Sequence, residues 1–144
     1  MLARCTAKRP NEKQIKSLGE YYEKHGAKHD SHLTVGKTYL VLGLVFNVGR
    51  GRMATGASLT LLCDHGHVES YPVVLFDILD PRVDPEWIMR SRIDGIVEIC
   101  PEVLIRPHFA EDYLDGVPEA VRPFRELLRR MEQRTASSNS SVGQ

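Results

Sequence analysis

Three side chains with metal-binding chemistry stand close together in the middle of the sequence. Cys63, His65 and His67 occupy alternate positions, and thiolate and imidazole are common zinc ligands, with Cys100 able to supply a fourth. Structural zinc sites usually pair their ligands as Cys-x-x-Cys or His-x-x-x-His, and no such pair stands nearby. The pattern is more typical of a strand that ends in a turn. We therefore predict no metal and keep a metal-dependent enzyme at these residues as an alternative.

Two further patterns would indicate catalysis or phosphate binding. A nucleophilic cysteine needs electropositive surroundings, whereas Cys100 lies in an acidic segment beside Glu98. The loop Gly49–Gly56, with Arg50 and Arg52, could cradle a phosphate through backbone amides and guanidinium groups. It matches neither the G-x-G-x-x-G nor the Walker pattern, and the motifs of serine hydrolases, kinases and zincins are absent. We predict a protein that is not an enzyme, with no catalytic residue and no cofactor.

The formal net charge of zero hides an uneven distribution of 19 basic and 19 acidic side chains. Basic and acidic residues number ten and four in residues 1–63, four and thirteen in residues 64–119, and five and two in residues 120–144. The zero total argues against a polybasic nucleic-acid arm and against an acidic nucleic-acid mimic. The acidic middle favours a basic protein partner, because complementary charge raises association rates. The alternative is that the fold pairs these charges internally.

The predicted partner-binding residues come from this acidic segment. They are six carboxylates and the single tryptophan of the chain: Asp77, Asp80, Asp84, Glu86, Trp87, Asp94 and Glu98. The spacing of the carboxylates matches no calcium-binding loop. An exposed Trp87 would anchor a partner, although tryptophan is more often a core residue.

Arginines of the C-terminal region define an alternative function. They are Arg122, Arg125, Arg129, Arg130 and Arg134. Together with Arg50 and Arg52 they could serve a barrel that binds nucleic acid or a small ligand. The interleaved aromatic residues that single-stranded nucleic-acid binding uses are missing, so nucleic acid is the less favoured partner.

Apolar periodicity predicts helices at both ends of the domain. Residues 11–25 carry an apolar stripe behind a possible N-cap at Asn11. Residues 109–114 predict a short helix, and a longer amphipathic helix follows with Pro118 in its first turn.

The region between the helices predicts short strands. The apolar, β-branched runs cover residues 38–46, 57–63, 68–71, 74–79, 87–93 and 96–100. Gly43 indicates a bend or bulge in the first run, and Asp94-Gly95 predicts a type I′ hairpin that places Met89 opposite Cys100. The predicted fold class is α+β: a small, strongly bent antiparallel sheet or SH3-like barrel with an N-terminal and a C-terminal helix.

Length and composition predict one globular domain over residues 11–134. We expect residues 1–10 to be flexible and residues 135–144, rich in Ser and Asn, to be disordered. The three cysteines favour reduced thiols. No signal peptide or membrane span is evident, so a cytoplasmic location is expected.

Four stretches carry a resemblance to a known group of proteins. They are Leu33–Gly43, Tyr71–Asp80, Pro85–Trp87 and Pro107–Ala120. Their order resembles small bacterial SH3-like barrel proteins of the immunity type, which accompany polymorphic or contact-dependent toxins. The resemblance covers about residues 33–130 and excludes the N-terminal helix and the Gly49–Gly56 loop.

The resemblance implies a module that binds and neutralises a cognate protein toxin. Combined with the acidic segment, it predicts a non-enzymatic immunity protein whose acidic surface docks a basic toxin. The sequence sets neither the partner's identity nor the oligomeric state.

Overall fold

The structure is a computed structural model that describes residues 1–26, 31–48 and 54–140. Its architecture is α+β, with seven strands in one antiparallel sheet and helices in the N-terminal and C-terminal regions. The strands are β1 (Leu2–Cys5), β2 (Thr38–Asn47), β3 (Gly56–Leu62), β4 (Val68–Pro72), β5 (Phe76–Asp80), β6 (Trp87–Ser91) and β7 (Val97–Pro101). The helices are α1 (Glu12–Ser17), α2 (Glu20–His25), α3 (Phe109–Leu114) and α4 (Pro118–Ser140).

Strand β2 organises the sheet because it pairs with three other strands. It meets β3 along one side, while β1 pairs near its start and β7 near its end. The path runs β4-β3-β2-β1-β5, and β6 is attached through β7. Strands β4, β5 and β6 each pair with a single neighbour, so the sheet does not close into a barrel.

The predicted bend at Gly43 is confirmed. The pairing of β2 with β3 shifts between Val41 and Gly43, which marks a β-bulge. A Cβ atom at Gly43 would lie 2.6 Å from the Cβ atom of Cys100. Glycine at this position therefore lets β7 approach β2 closely while the bulge bends the sheet.

The first predicted helix is divided in two. Asn11 caps α1 through a capping box with Gln14, as the sequence suggested. The helix stops at Leu18, because Gly19 adopts a φ of 96° before α2 begins. This break allows Leu18 and Tyr22 to share one small buried cluster with Ala54.

The N-terminus is part of the sheet, which corrects the prediction that residues 1–10 are flexible. Strand β1 lies between β2 and β5, and both Ala3 and Cys5 are buried in the main core. Four residues are too short for an amphipathic pattern, so their pairing depends on neighbours that are distant in sequence.

The last helix extends further than predicted. Helix α4 begins at Pro118, as expected, and continues to Ser140. The predicted disorder from residue 135 is therefore wrong for residues 135–140, while residues 141–144 lie outside the described residues. Phe124 and Met131 of the predicted stripe are fully buried in the main core.

The β6–β7 hairpin exists, but its predicted register is wrong by one residue. Met89 pairs with Ile99 rather than Cys100. The backbone N–H of Arg92 donates to the carbonyl of Ile96, and Gly95 adopts a φ of 82°. This is a three-residue loop with glycine in the left-handed region, which the flanking strands accept as readily as a two-residue turn.

Candidate functional site

Three of the predicted partner-binding carboxylates lie together beside α4. Asp80, Asp84 and Glu86 line or adjoin a groove between the β5–β6 connection and the C-terminal half of α4. Each is held by an arginine of this region, and the pairings are Asp80 with Arg82, Asp84 with Arg134, and Glu86 with both Arg130 and Arg134.

The geometry of these pairs is mostly bidentate. The Nε and Nη2 atoms of Arg134 lie 2.9 Å from the two carboxylate oxygens of Asp84. Arg130 donates in the same way to Glu86, at 3.0 and 2.8 Å. Fork-shaped guanidinium–carboxylate contacts are strong and directional. They therefore fix the β5–β6 connection against the last helix.

The arginines also lower the proton affinity of these carboxylates. The hydrogen bond from Arg82 holds the pKa of Asp80 at about 2. The hydrogen bonds from Arg130, together with those from Arg134, hold the pKa of Glu86 at about 2. Both groups are thus ionised at neutral pH, with their charge already balanced by a guanidinium.

The other predicted carboxylates lie elsewhere and are also paired. Asp77 on β5 contacts Arg4 of β1 at 3.1 Å. On the β6–β7 hairpin, Glu98 accepts from Arg90, and Asp94 lies 2.8 Å from Arg92. The structure therefore does not gather the six carboxylates onto one face.

The predicted acidic residues do not form an exposed acidic surface. The side chain of Asp84 is only 6% exposed, and Asp80 is also largely covered, whereas Arg82 and Arg130 are more accessible than their partners. Internal pairing of the charges, the alternative raised by the sequence, is what the structure shows at these residues. Trp87 packs in the main core with its neighbours, so it is not a surface anchor.

The same segment exposes apolar side chains that the charge analysis overlooked. Ten large apolar residues of the described chain are exposed, and six of them fall between residues 77 and 98: Ile78, Leu79, Val83, Ile88, Met89 and Ile93. Their sequence signal is weak, because an apolar residue of a short strand is normally assigned to the core. Only the position of β5 and β6 at the sheet edges reveals their exposure.

The residues with metal-binding chemistry do not assemble into a site. No cluster of three or more potential ligands occurs within the described parts of the chain. Cys63 is buried, and the ring of His65 contacts that of His32 in a tilted arrangement with centroids 4.0 Å apart. Burial raises the pKa of the Cys100 thiol to about 11, which is opposite to the depressed pKa of a nucleophilic cysteine.

The arginines of the alternative function are divided by the structure. Arg130 and Arg134 are engaged by carboxylates. Arg122, Arg125 and Arg129 are exposed on another side of α4, where acidic side chains also occur. Arg50 and Arg52 lie outside the described residues. A continuous basic surface is not formed by the described arginines.

A cleft of about 350 Å³ lies between the sheet and the segment leading into α3. Thr60 and Ser70 contribute hydroxyl groups 2.8 Å apart. His108 at its rim adopts a φ of 59° and contacts Glu111 at 2.9 Å. The charged groups of the cleft are paired with one another or with neighbours, so its geometry does not indicate one ligand chemistry.

Comparisons with protein-family models, curated proteins and solved structures give no match for this chain. Among the described helices, none combines the length and apolar character needed to cross a membrane.

Proposed function

We propose that the protein is a non-enzymatic protein-binding module of the immunity type, which binds and neutralises a cognate toxin. The observation that carries the binding role is the concentration of exposed apolar side chains in the segment that includes β5 and β6. The sequence resemblance supports the immunity role. The bulge in β2 and its pairing with three strands support a bent antiparallel sheet of the kind that the resemblance implies, although the described sheet is open rather than closed into a barrel.

We assign the partner surface to the β5 patch, defined as Ile78, Leu79 and Val83. All three residues are exposed. Leu79 lies on the same face of β5 as Asp77, Ile78 lies on the opposite face, and Val83 follows in the connection to β6. Ion pairs adjoin them, since Asp77 contacts Arg4 and Asp80 contacts Arg82. An apolar centre with a polar rim is the usual anatomy of a protein–protein interface.

This surface changes the expected chemistry of the partner. The carboxylates beside the β5 patch are neutralised by arginines, so they provide little net field to attract a basic toxin. We therefore expect desolvation of the apolar side chains to dominate binding, with a weak dependence on salt. Charge reversal at Asp84 would test folding rather than binding, because its side chain is buried against Arg134.

The test requires a candidate toxin domain, sought among the products of neighbouring genes, and measures its affinity for this protein by calorimetry. We expect Leu79→Arg and Val83→Arg to raise the dissociation constant by roughly tenfold or more, as loss of an apolar anchor does. Leu114→Arg is the matched control, because Leu114 on α3 is 54% exposed, as is Val83.

Two results would contradict the proposal. One is the absence of any complex with the folded wild-type protein. The other is an equal loss of affinity in the Leu114→Arg control, which would show that the β5 patch has no special role.

A further inference from the structure

Strand β6 is an open edge of the sheet. It pairs with β7 alone, and the opposite side has no strand partner among the described residues. The bond from the Arg92 N–H to the Ile96 carbonyl closes the hairpin. Since hydrogen-bonded and non-hydrogen-bonded pairs alternate in an antiparallel ladder, the backbone groups of Met89 and Ser91 point away from β7. They are available to another strand.

The usual protections of an edge strand are missing from β6. It contains neither proline nor lysine, two residues that commonly block edge pairing. Its one charged residue, Arg90, is held by Glu98 and by the carbonyl of Ile105. Ile88 and Met89 are exposed on opposite faces of the strand, and Met89 is 72% exposed. The edge therefore offers both hydrogen-bonding groups and apolar surface.

We propose that β6 pairs with β6 of a second copy of this chain, antiparallel and across a twofold axis at Met89. A formal net charge of zero gives two copies no net repulsion. Antiparallel pairing of two identical strands places each residue of one copy against the same set in the other, as a twofold interface requires. The β2–β7–β6 ladder of one copy then continues into the same ladder of the other.

The register follows from charge as well as from backbone direction. Pairing Met89 with Met89 of the second copy sets Ile88 opposite Arg90, so an apolar side chain meets the aliphatic stem of an arginine. A shift that pairs Met89 with Ser91 would place the two Arg90 side chains opposite each other. Like charges directly opposite destabilise a strand pair, so the axis lies at Met89.

The sheet face on the Met89 side supports the same arrangement. Met89 pairs with Ile99, which pairs in turn with Leu44, and both of these residues are half-buried. In the next row Val97 lies between Ser91 and the exposed Phe46. Joining two copies at β6 would bring the apolar rows of one copy beside the same rows of the other, so that they form one continuous band. The two Met89 side chains would lie at the centre of this band and cover each other.

This inference does not depend on the proposed function, since the β5 patch and the β6 edge are different strands. Equilibrium sedimentation over a wide range of protein concentration tests it. We expect a mass that rises from 16.3 kDa to twice that value. Met89→Lys should raise the dimer dissociation constant by roughly tenfold or more, because two ammonium groups would meet at the axis. Leu114→Lys should leave it unchanged.

Cysteine cross-linking tests the register itself. Opposed residues of a hydrogen-bonded pair have Cα atoms about 5.5 Å apart, within disulfide range. Met89→Cys should therefore form a disulfide-linked dimer under mild oxidation, whereas Ser91→Cys should not. The native cysteines Cys5, Cys63 and Cys100 are buried and do not compete.

A monomeric mass at every concentration would overturn the proposal, as would a dimer that is unaffected by Met89→Lys. Cross-linking of Ser91→Cys, or only of Met89→Cys mixed with Ser91→Cys, would show another register and overturn the axis at Met89. Toxin binding by a strictly monomeric protein would refute the dimer while leaving the β5 patch intact.

Discussion

Asp64 is the best-connected side chain in the stretch that first suggested a metal. It accepts hydrogen bonds from the hydroxyl groups of Thr34 and Tyr39, at 2.6 and 3.0 Å, and forms an ion pair with Lys37. These contacts tie the end of β3 to the turn that leads into β2. The chemistry of this stretch is thus structural, and it belongs to the carboxylate rather than to the neighbouring histidines.

The pKa of Asp64 makes this network measurable. The hydrogen bonds from Lys37 and Thr34 lower the pKa from 3.8 to about 2. A lowered carboxyl pKa in the folded state stabilises the protein above the unfolded-state pKa, and the stabilisation is lost as pH falls toward 2. Asp64→Asn should cost no more than about 1 kcal/mol at neutral pH, because solvent screens this exposed network.

Urea unfolding at a series of pH values checks this prediction. The difference in unfolding free energy between wild type and Asp64→Asn should shrink as pH falls from about 5 to about 2. Asp77→Asn is a suitable control, because its partner contact with Arg4 is exposed. A difference that stays constant with pH would contradict the assigned cause.

At the scale of elements, the arginines of α4 hold two carboxylates of unequal burial. Arg134 is the arginine that pairs with the buried Asp84, while the more accessible Glu86 is shared by Arg130 and Arg134. Arg134→Gln should cost about 2–4 kcal/mol, because it leaves a buried carboxylate without a cation. Arg130→Gln should cost less than about 1 kcal/mol, because Glu86 keeps a partner and is partly solvated.

Thermal and urea unfolding of the two variants measures this difference. Arg125→Gln provides the baseline, since Arg125 is exposed on the same helix and such substitutions usually change stability by less than about 0.5 kcal/mol. Equal destabilisation by Arg130→Gln and Arg134→Gln would show that the burial of Asp84 does not set the strength of the contact.

The elements show how far the sequence predicts the fold. A long apolar run predicted β2, an amphipathic pattern predicted α4, and glycine at position 43 predicted the bulge, because these signals are local. The hairpin register failed because Asp94-Gly95 suits both a two-residue and a three-residue loop. The first helix was predicted as one because its apolar stripe continues across Gly19, but Gly19 adopts a φ of 96° and ends the right-handed helix there.

For the candidate site, the sequence identified the charged segment but not the ion pairs that neutralise it. The net charge of a segment does not show which oppositely charged residues from other parts of the chain the fold brings into contact with it. Here Arg130 and Arg134, from a distant helix, neutralise carboxylates of the β5–β6 connection. Exposure of Met89 likewise depends on β6 being an edge, a property of the complete sheet. The ion pairing and the exposure of Met89 both result from tertiary structure, so no local sequence pattern predicts them.

At the scale of the whole molecule, the N-terminus holds the sheet together. Strand β1 is the link between β2 and β5, and Ala3 has no exposed surface. Ala3 pairs with Tyr39 on one side and Ile78 on the other. Without β1, strand β5 would lose the one strand that pairs with it among the described residues, and the β5 patch would lose its support.

Ala3→Asp should therefore abolish the folded state at neutral pH. An unpaired buried charge costs several kcal/mol, which is comparable to the whole stability of a small domain. Arg4→Gln, one residue along the same strand, should cost less than about 1 kcal/mol, because its ion pair with Asp77 is exposed. Dispersion of backbone amide signals in a ¹H–¹⁵N spectrum distinguishes the two outcomes. A well-dispersed spectrum for Ala3→Asp would show that the domain folds without β1 in its buried position.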